Sequence, residues 1–257
     1  MESVWWLLKE IYRKDLMYKG YTIQPYSPKA GTAISSHELN QPGTYQDVTD
    51  TTVTAQFKIK KEGLPKFLNS ENDIFVLAWT TTPWTLPSNT ALTVGPKISY
   101  SLIKSFNQYT GLIGDYIVAE DLISKQFSGN YYEVFDVAEI KKYVFESKAI
   151  PFYKVCSFQG KDLENIRYEQ LLEYTKPFDS AENAFRIITG DFVTTSDGTG
   201  IVHTAPTFGA DDAFVAKAAT PPVPPMLVKD EAGDLVPLVD LQGKFRPEMG
   251  EFSGKFV

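Results

Sequence analysis

The sequence predicts an α+β domain that is mostly β, with a strongly bent or closed, barrel-like sheet and a few peripheral helices. Many short strand patterns are separated by frequent turn signals, and helical patterns are few. Strands and helices do not alternate regularly, which disfavours a doubly wound nucleotide-binding fold. With 257 residues, 43% of them hydrophobic, the chain can bury the core of one large domain or two small ones.

Composition excludes several classes of protein. A net charge of −7 argues against a free-standing, high-affinity nucleic-acid binder, but it allows contact with a nucleic acid that another domain holds. The single cysteine, Cys156, excludes an internal disulfide and fits a reducing compartment; its apolar neighbours predict a buried, unreactive side chain. With only His37 and His203 as histidines, no metal site is expected.

The first 21 residues, "MESVWWLLKEIYRKDLMYKGY", predict a helix over 3–19 with Gly20 as its stop, because apolar residues recur at helical spacing. Charges interrupt this pattern, so it is not a signal peptide. No run of about 18 apolar residues occurs, and no membrane span is predicted. A helix that opens at residue 2 without a lead-in suggests a piece of a longer protein.

Strand patterns dominate the rest of the chain. The segment 53–60 alternates apolar and polar residues and predicts a half-buried strand, whereas 74–79 is continuously apolar and predicts a central strand. Further predicted strands are 98–104, 131–135, 185–189, 192–195 and 200–204.

Other helical patterns are few. A short helix is predicted over 117–126 and another starting near Asp211, whereas 163–174 fits a helix or an irregular segment equally well. The proline-rich stretch 220–226 predicts an extended connector.

The first motif is "FVLAWTTTPWTLPSN" (75–89), in which an apolar strand runs into Thr80, Thr81 and Thr82. Each of the two prolines that follow disfavours a helical conformation at the residue before it. We therefore expect an extended backbone past the strand end, with hydroxyls free for a ligand or water. The alternative, also typical of Thr/Pro loops, is that the hydroxyls satisfy nearby backbone groups.

The second motif is "DGTGIVHTAPTFGADDAF" (197–214), a tight turn, a short strand and a helix start. Asp211 is predicted to be an N-cap or first-turn residue, and Asp212 either the same or a cation ligand facing a cleft. Taken alone, His203 is typical of a hydrogen-bonded core histidine. His37 lies in polar surroundings and is predicted to be structural or exposed.

Together the two motifs resemble the editing domain of isoleucyl-tRNA synthetase, a class I aminoacyl-tRNA synthetase. The stretches 25–39, 45–59 and 116–122 support the resemblance. Valyl and leucyl relatives carry Thr-Thr-Arg-Pro-Glu-Thr where this chain has Thr-Thr-Thr-Pro-Trp-Thr, so the isoleucyl branch matches better. Many members read Ala-Pro-Gly-His-Gly where this chain has Phe208, as in the eukaryote-like branch, so no role of that second histidine carries over.

The resemblance implies the roles of individual residues. The implied catalytic residues are Thr80, Thr81, Thr82 and Asp212. The implied substrate-binding residues are Trp84, Thr85, Asn89, His203 and Asp212. In the family, the threonine-rich peptide holds the ester and the terminal adenosine. The histidine helps to judge the amino-acid side chain, and the aspartate binds the α-ammonium group.

The implied function is post-transfer editing, the hydrolysis of mischarged tRNA(Ile), mainly valyl-tRNA(Ile). The expected partners are the 3′ end of tRNA(Ile) and the rest of the synthetase in cis, in a cytoplasmic monomer. His-x-Gly-His and Lys-Met-Ser-Lys-Ser motifs are absent from this chain, so ATP and Mg²⁺ would serve a catalytic domain outside it, and editing is expected to need no cofactor. No Ser-His-Asp, Cys-His or metal set is available, which predicts attack by a positioned water.

The predicted organisation has three parts. Residues 1–44 form a flank towards the catalytic domain, 45–230 the editing domain, and 231–257 the returning flank. The alternatives are a module that binds an amino acid or aminoacyl-adenosine without turnover, a hydrolase for the valyl or leucyl relatives' targets, and a β-rich connector.

Overall fold

The computed structural model describes residues 1–18, 23–145 and 147–257. The helices in these residues are α1 (Glu2–Arg13), α2 (Ser36–Leu39), α3 (Ile123–Gln126), α4 (Val137–Ile140) and α5 (Ala210–Ala218). The strands are β1 (Tyr26–Ser27), β2 (Thr32–Ala33), β3 (Val53–Lys58), β4 (Ile74–Thr80), β5 (Ala91–Val94), β6 (Ser99–Phe106), β7 (Ile113–Ala119), β8 (Tyr131–Glu133), β9 (Ile150–Gln159), β10 (Arg186–Thr189), β11 (Ile201–Thr204), β12 (Val228–Lys229) and β13 (Leu235–Val236). The prediction of a mostly β, α+β domain with a few helices is confirmed.

The main sheet has nine strands in the order β10-β5-β11-β4-β7-β6-β9-β8, and β3 pairs with β4. This order begins at β10, ends at β8 and branches at β4. Single bridges from Arg167 to Arg186 and from Tyr168 to Ile59 also link β10 to the chain just after β3. Both parallel and antiparallel pairs occur; β11, for example, runs antiparallel to β5 and parallel to β4.

The edge of β4 determines where distant segments meet. Since β3 pairs along one edge, β7 and β11 share the other: β7 pairs with Ile74–Val76, and β11 joins at Trp79, opposite Val202. The end of β4 and its threonines therefore lie beside β11, more than one hundred residues later in the sequence.

The core confirms the two main strand predictions. Ala55, Phe57 and Ile59 are buried, as the alternation of β3 predicts, and β4 is buried along most of its length. They pack with apolar residues of β6 and β7 in one large cluster. Hydrophobic burial at about 25 cal/mol per Å² makes this cluster the main stabilising element of the fold.

Several other predictions are confirmed in type but differ in length. Strands occur at 98–104, 131–135, 185–189 and 200–204, and no end is shifted by more than two residues. The stretch 220–226 contains no helix or strand and connects α5 to β12. The segment 163–174 is irregular beyond a short 3₁₀ turn, with single bridges at Arg167 and Tyr168.

Two predicted elements are wrong. Residues 192–195 form no strand, because Thr194 and Thr195 bond to the nearby side chains of Ser196 and Asp121, which favours a turn. The helix over 117–126 starts too early, since residues up to Ala119 pair with β6 within β7. Tertiary pairing has overridden the local helical pattern there.

The threonine segment also departs from expectation. Its backbone is not extended past Thr82, because Pro83–Ser88 forms a 3₁₀ helix. The fixed φ of Pro83 suits a first helical position. Pro87 interrupts no bond, because two separate turns form this helix and Pro87 lies inside the second one, at a position whose N–H is not needed. These turns are the bonds from Thr85 N–H to Thr82 C=O and from Asn89 N–H to Leu86 C=O, at 3.0 and 3.1 Å.

The N-terminal helix α1 is shorter than predicted and ends at Arg13; the predicted stop at Gly20 lies outside the described residues. None of the residues of α1 is buried, and Trp5 and Trp6 are exposed. No helix in the described ranges is both long and apolar enough to cross a membrane. The boundaries at 44/45 and 230/231 stay predictions.

Candidate functional site

A cleft of about 520 Å³ opens where β4 ends beside β11. One side, here called the threonine wall, consists of Thr80, Thr81, Thr82, Trp84 and Thr85. The facing side, called the histidine–aspartate wall, consists of His203, Ala205, Phe208, Gly209 and Asp212. The turn 192–200 closes a third side and contributes Phe192, Thr194, Ser196 and Asp197. Both sequence motifs therefore line one cavity.

The threonine wall changes from buried to open along its length. Thr80 is buried and its hydroxyl oxygen accepts the backbone N–H of Thr82 at 3.0 Å, which turns the chain at the strand end. Thr81 and Thr82 are exposed. The Thr82 hydroxyl lies 3.3 Å from that of Thr80 and 3.4 Å from that of Thr85, both long for hydroxyl pairs. The exposed Thr82 hydroxyl is thus only weakly hydrogen-bonded to other protein groups.

His203 is held on both ring nitrogens. Its Nδ1 lies 2.8 Å from Asn89 Nδ2, and its Nε2 lies 3.0 Å from Thr85 Oγ1. The side chain is only 7% exposed, and burial lowers the pKa of His203 to about 4. The imidazole is therefore neutral near pH 7. With both nitrogens occupied, it presents a fixed, uncharged surface to the cleft.

Asp212 faces the cleft from the first turn of α5. It is half-buried, and its Oδ2 accepts the backbone N–H of Ala205 at 2.8 Å. Burial raises the pKa of this carboxyl, the bond from Ala205 opposes the rise, and the charge of Asp211 adds to it. Asp211 itself is exposed. Burial therefore disfavours the charged form of Asp212, and a positively charged group in the cleft would offset that cost.

Gly209 makes room for this carboxylate. It precedes α5 with φ −97°, so its backbone needs no glycine. A Cβ at this position would, however, lie 2.7 Å from Cγ and Oδ2 of Asp212. The absence of a side chain therefore lets the carboxyl pack against the helix start.

An aromatic pair spans the two walls. The rings of Trp84 and Phe208 lie with centroids 5.0 Å apart at 71°, an edge-to-face arrangement worth about 0.5–1.5 kcal/mol beyond area burial. Both side chains are half-buried. Phe208 supplies an apolar edge to the cleft.

The structure brings together all but one of the predicted site residues. The exception is Asn89, which is 3% exposed and lies behind His203 rather than in the cleft lining. Its predicted contact with substrate stays a prediction. Sequence reasoning missed Tyr168, whose hydroxyl donates to Asn89 Oδ1 at 2.6 Å. No spacing pattern links residues that far apart in the chain.

Two further residues considered in the sequence analysis, His37 and Cys156, lie outside the cleft lining. His37 is exposed on α2, as predicted. Cys156 is half-buried rather than buried; its Sγ lies 3.5 Å from the Phe67 carbonyl, and burial raises the pKa of its thiol. Among the described residues, no cluster of three or more His, Cys, Asp or Glu has an arrangement that could hold a metal ion.

The family model described as tRNA synthetases class I (I, L, M and V) matches residues 1–185. The chain belongs to this family. It is 54% identical to an isoleucine–tRNA ligase of Cytophaga hutchinsonii over its whole length, and 54% identical to one of Bacteroides fragilis over 95% of its length. These matches cover 22% and 20% of the two relatives, so this chain spans about a fifth of the length of each relative.

A comparison of folds adds a further likeness. The editing domain of the cytosolic leucyl-tRNA synthetase of P. knowlesi superposes on this chain with a TM-score of 0.43 and 14% identity. The superposition covers 63% of this chain and 60% of the other.

Proposed function

We propose that this chain is the editing module of an isoleucyl-tRNA synthetase and hydrolyses the ester of mischarged tRNA(Ile), mainly valyl-tRNA(Ile). The observation that carries the proposal is the convergence in one cleft of Thr80–Thr82, His203 and Asp212, from segments more than one hundred residues apart. The 54% identity to isoleucine–tRNA ligases supports it.

The first task of such a site is to hold the α-ammonium group of the amino acid. Asp212 offers a carboxylate at the cleft surface, and a charge-assisted hydrogen bond is about twice as strong as a neutral one. Because burial disfavours the charge of Asp212, an ammonium partner offsets this desolvation cost. Binding of the ammonium group and stabilisation of the charged Asp212 carboxylate therefore favour each other.

The second task is to select by size. Valine is isoleucine minus one methylene, and an apolar pocket separates the two by about 1–3 kcal/mol, a magnitude already measured on isoleucyl-tRNA synthetase itself. A second site that excludes the larger side chain multiplies this discrimination. Neutral, immobile His203 with its ring held at both nitrogens is suited to act as a steric stop.

The third task is chemical. The neutral ring of His203 has no free nitrogen to accept a proton from water, so the protein supplies no histidine base. An aminoacyl ester is already reactive, and positioning of the carbonyl and a water about 3 Å apart lowers the barrier by itself. In this mechanism the hydroxyls of Thr81 and Thr82 orient the ester, and the free hydroxyl of the terminal ribose assists the water.

The test measures release of the amino acid from valyl-tRNA(Ile) and isoleucyl-tRNA(Ile) by the full-length protein that carries this chain. We expect hydrolysis of the valyl ester and survival of the isoleucyl ester. A crystal structure with a non-hydrolysable valyl-adenosine ester analogue should show its ammonium within hydrogen-bond distance of Asp212. Equal survival of both esters would contradict the proposal.

A second candidate is binding of an aminoacyl-adenosine by this chain without turnover. The absence of a free histidine nitrogen at the cleft favours it, and the net charge of −7 gives the chain little attraction for the body of a tRNA. Binding of the valyl-adenosine analogue by the 257-residue chain, combined with unchanged valyl-tRNA(Ile), would support this candidate for the chain on its own.

A further inference from the structure

Asn89 connects the cleft to the core through a continuous series of hydrogen bonds. Its amide nitrogen lies 2.7 Å from the Ala91 carbonyl and 2.8 Å from His203 Nδ1, and its amide oxygen lies 2.6 Å from the Tyr168 hydroxyl. Tyr168 is fully buried, and its ring packs edge-to-face on Phe57 at 5.4 Å. The far end of the series is therefore fixed by core packing.

The donors and acceptors in this series allow one assignment. A backbone carbonyl only accepts, so Asn89 presents its NH₂ group to Ala91 and its oxygen to the Tyr168 hydroxyl. The second hydrogen of that NH₂ group points at Nδ1 of His203, which must then accept. A neutral imidazole carries one proton, so that proton is on Nε2.

The assignment continues into the threonine wall. The Nε2–H of His203 donates to Thr85 Oγ1, and the Thr85 hydroxyl hydrogen is then free to donate to the Thr82 carbonyl at 2.8 Å. This last bond holds the backbone turn that follows the exposed threonines. Every bond in the series has one direction. A proton on Nδ1 instead of Nε2 would face the Asn89 amide hydrogen, and the Thr85 hydroxyl would then donate to Nε2 and lose its bond to the Thr82 carbonyl.

We propose that Asn89 is a positioning residue which, through its amide donor, holds His203 in the Nε2–H tautomer and thereby fixes Thr85 on the Thr82 carbonyl. It acts from behind the cleft, which agrees with its absence from the cleft lining. The effect on hydrolysis rests on the proposed function; the tautomer does not.

The direct test is the tautomer, read from ¹⁵N NMR shifts of the 257-residue chain labelled with ¹⁵N-histidine. The chain has two histidines, so exposed His37 serves as an internal reference. We expect a protonated Nε2 and an unprotonated Nδ1 at His203. Asn89→Asp keeps the shape but offers Nδ1 only an acceptor, so the proton should move to Nδ1.

Tyr168→Phe is the matched control, because it removes a hydroxyl from the same series while Ala91 still orients the Asn89 amide. The Nε2–H tautomer should persist in this variant. A wild-type Nδ1–H tautomer, an unchanged tautomer in folded Asn89→Asp, or reversal in Tyr168→Phe would each overturn the proposal. If Asn89→Asp does not fold, Asn89→Ala decides: loss of the donor should give a mixture of both tautomers.

A second measurement addresses the consequence for catalysis. In the full-length protein, Asn89→Asp should lower kcat for valyl-tRNA(Ile) hydrolysis about tenfold with KM unchanged, as expected when one orienting hydrogen bond is lost. A rise in KM alone would show Asn89 to be a substrate contact and overturn the positioning role. If wild-type protein hydrolyses no ester, the proposed function fails while the tautomer assignment stands on the NMR result.

Discussion

The two walls of the cleft differ in how firmly the protein holds them. The histidine–aspartate wall is anchored: both nitrogens of His203 and one oxygen of Asp212 are bound to protein groups. In the threonine wall, Thr81 and Thr82 are exposed, and the hydroxyl contacts of Thr82 are long. Selection by shape requires the first property, whereas a hydroxyl that must bond to a ligand requires the second.

The same contrast occurs between two adjacent residues. Asp211 and Asp212 both begin α5, where carboxylates suit the helix dipole. Asp211 is exposed, whereas Asp212 faces the cleft and has a raised pKa because of burial. This difference in burial favours Asp212 over Asp211 for the proposed contact with the substrate ammonium group.

Replacement of Asp212 should have the largest effect. Asp212→Asn keeps an oxygen for the Ala205 N–H but removes the charge that binds the ammonium. A hydrogen bond to a charged group contributes about 1.5–3 kcal/mol, so hydrolysis of valyl-tRNA(Ile) should fall roughly ten- to hundredfold. Asp211→Asn is the matched control and should leave the rate unchanged. Equal effects of the two variants would remove the distinction between them.

The exposed threonines should come next. Joint replacement of Thr81 and Thr82 by Ala should reduce hydrolysis by roughly tenfold or more, at about 1 kcal/mol per hydrogen bond, and barely change Tm. Thr51 and Thr52, an exposed pair outside this cleft, provide a control double variant. A loss of Tm without a loss of rate would show that the hydroxyls serve the backbone instead.

Replacement of His203 should alter selection more than rate. His203→Ala opens space beside the substrate side chain, so isoleucyl-tRNA(Ile) should become a substrate, with discrimination reduced about tenfold, the worth of one methylene. Stability should also fall by about 1–3 kcal/mol because Asn89 and Thr85 lose a buried partner. His37→Ala is the exposed control. Unaltered discrimination would leave His203 with a structural role only.

A methyl group at Gly209 should have a smaller effect of the same kind as loss of Asp212. In Gly209→Ala the added Cβ would meet the Asp212 carboxyl at 2.7 Å and displace it. We expect a several-fold loss of hydrolysis, as overpacking typically costs about 1–3 kcal/mol before relaxation. In the Asp212→Asn variant, Gly209→Ala should lower the hydrolysis rate by a smaller factor than in wild type. If Gly209→Ala lowers the rate by the same factor in both, Gly209 does not act through Asp212.

The smallest expected effect is on stability as a function of pH. Because the folded protein raises the pKa of Asp212, the folded state holds this proton more tightly than the unfolded state. The contribution of Asp212 to stability is therefore full below the ordinary carboxyl pKa and is lost as pH rises through the raised value. Wild type should lose stability relative to Asp212→Asn across this window, as measured by urea unfolding at several pH values.

Local sequence patterns account for much of this fold. The alternation of 53–60 and the continuous apolar run 74–79 each specify a strand, because burial of one face or of both leaves a different period in the sequence. Both motifs line one cleft, and the roles that the resemblance implies for His203 and Asp212 stay predictions. The helix at 117–126 and the strand at 192–195 failed because pairing with β6 and nearby side-chain bonds outweighed weak local preferences.

By itself, the sequence determined the mostly β class, the two motifs and the membership of a functional family, since these depend on local periodicity and residue identity. The tertiary structure alone decided which groups meet: β11 joins β4 at Trp79 and so places His203 beside the threonines. It also decided which groups lie within hydrogen-bond distance of one another between Tyr168 and Thr82. The physical reason is that burial and hydrogen-bond partners are properties of neighbours in space, and those neighbours lie as many as 118 residues apart along the chain.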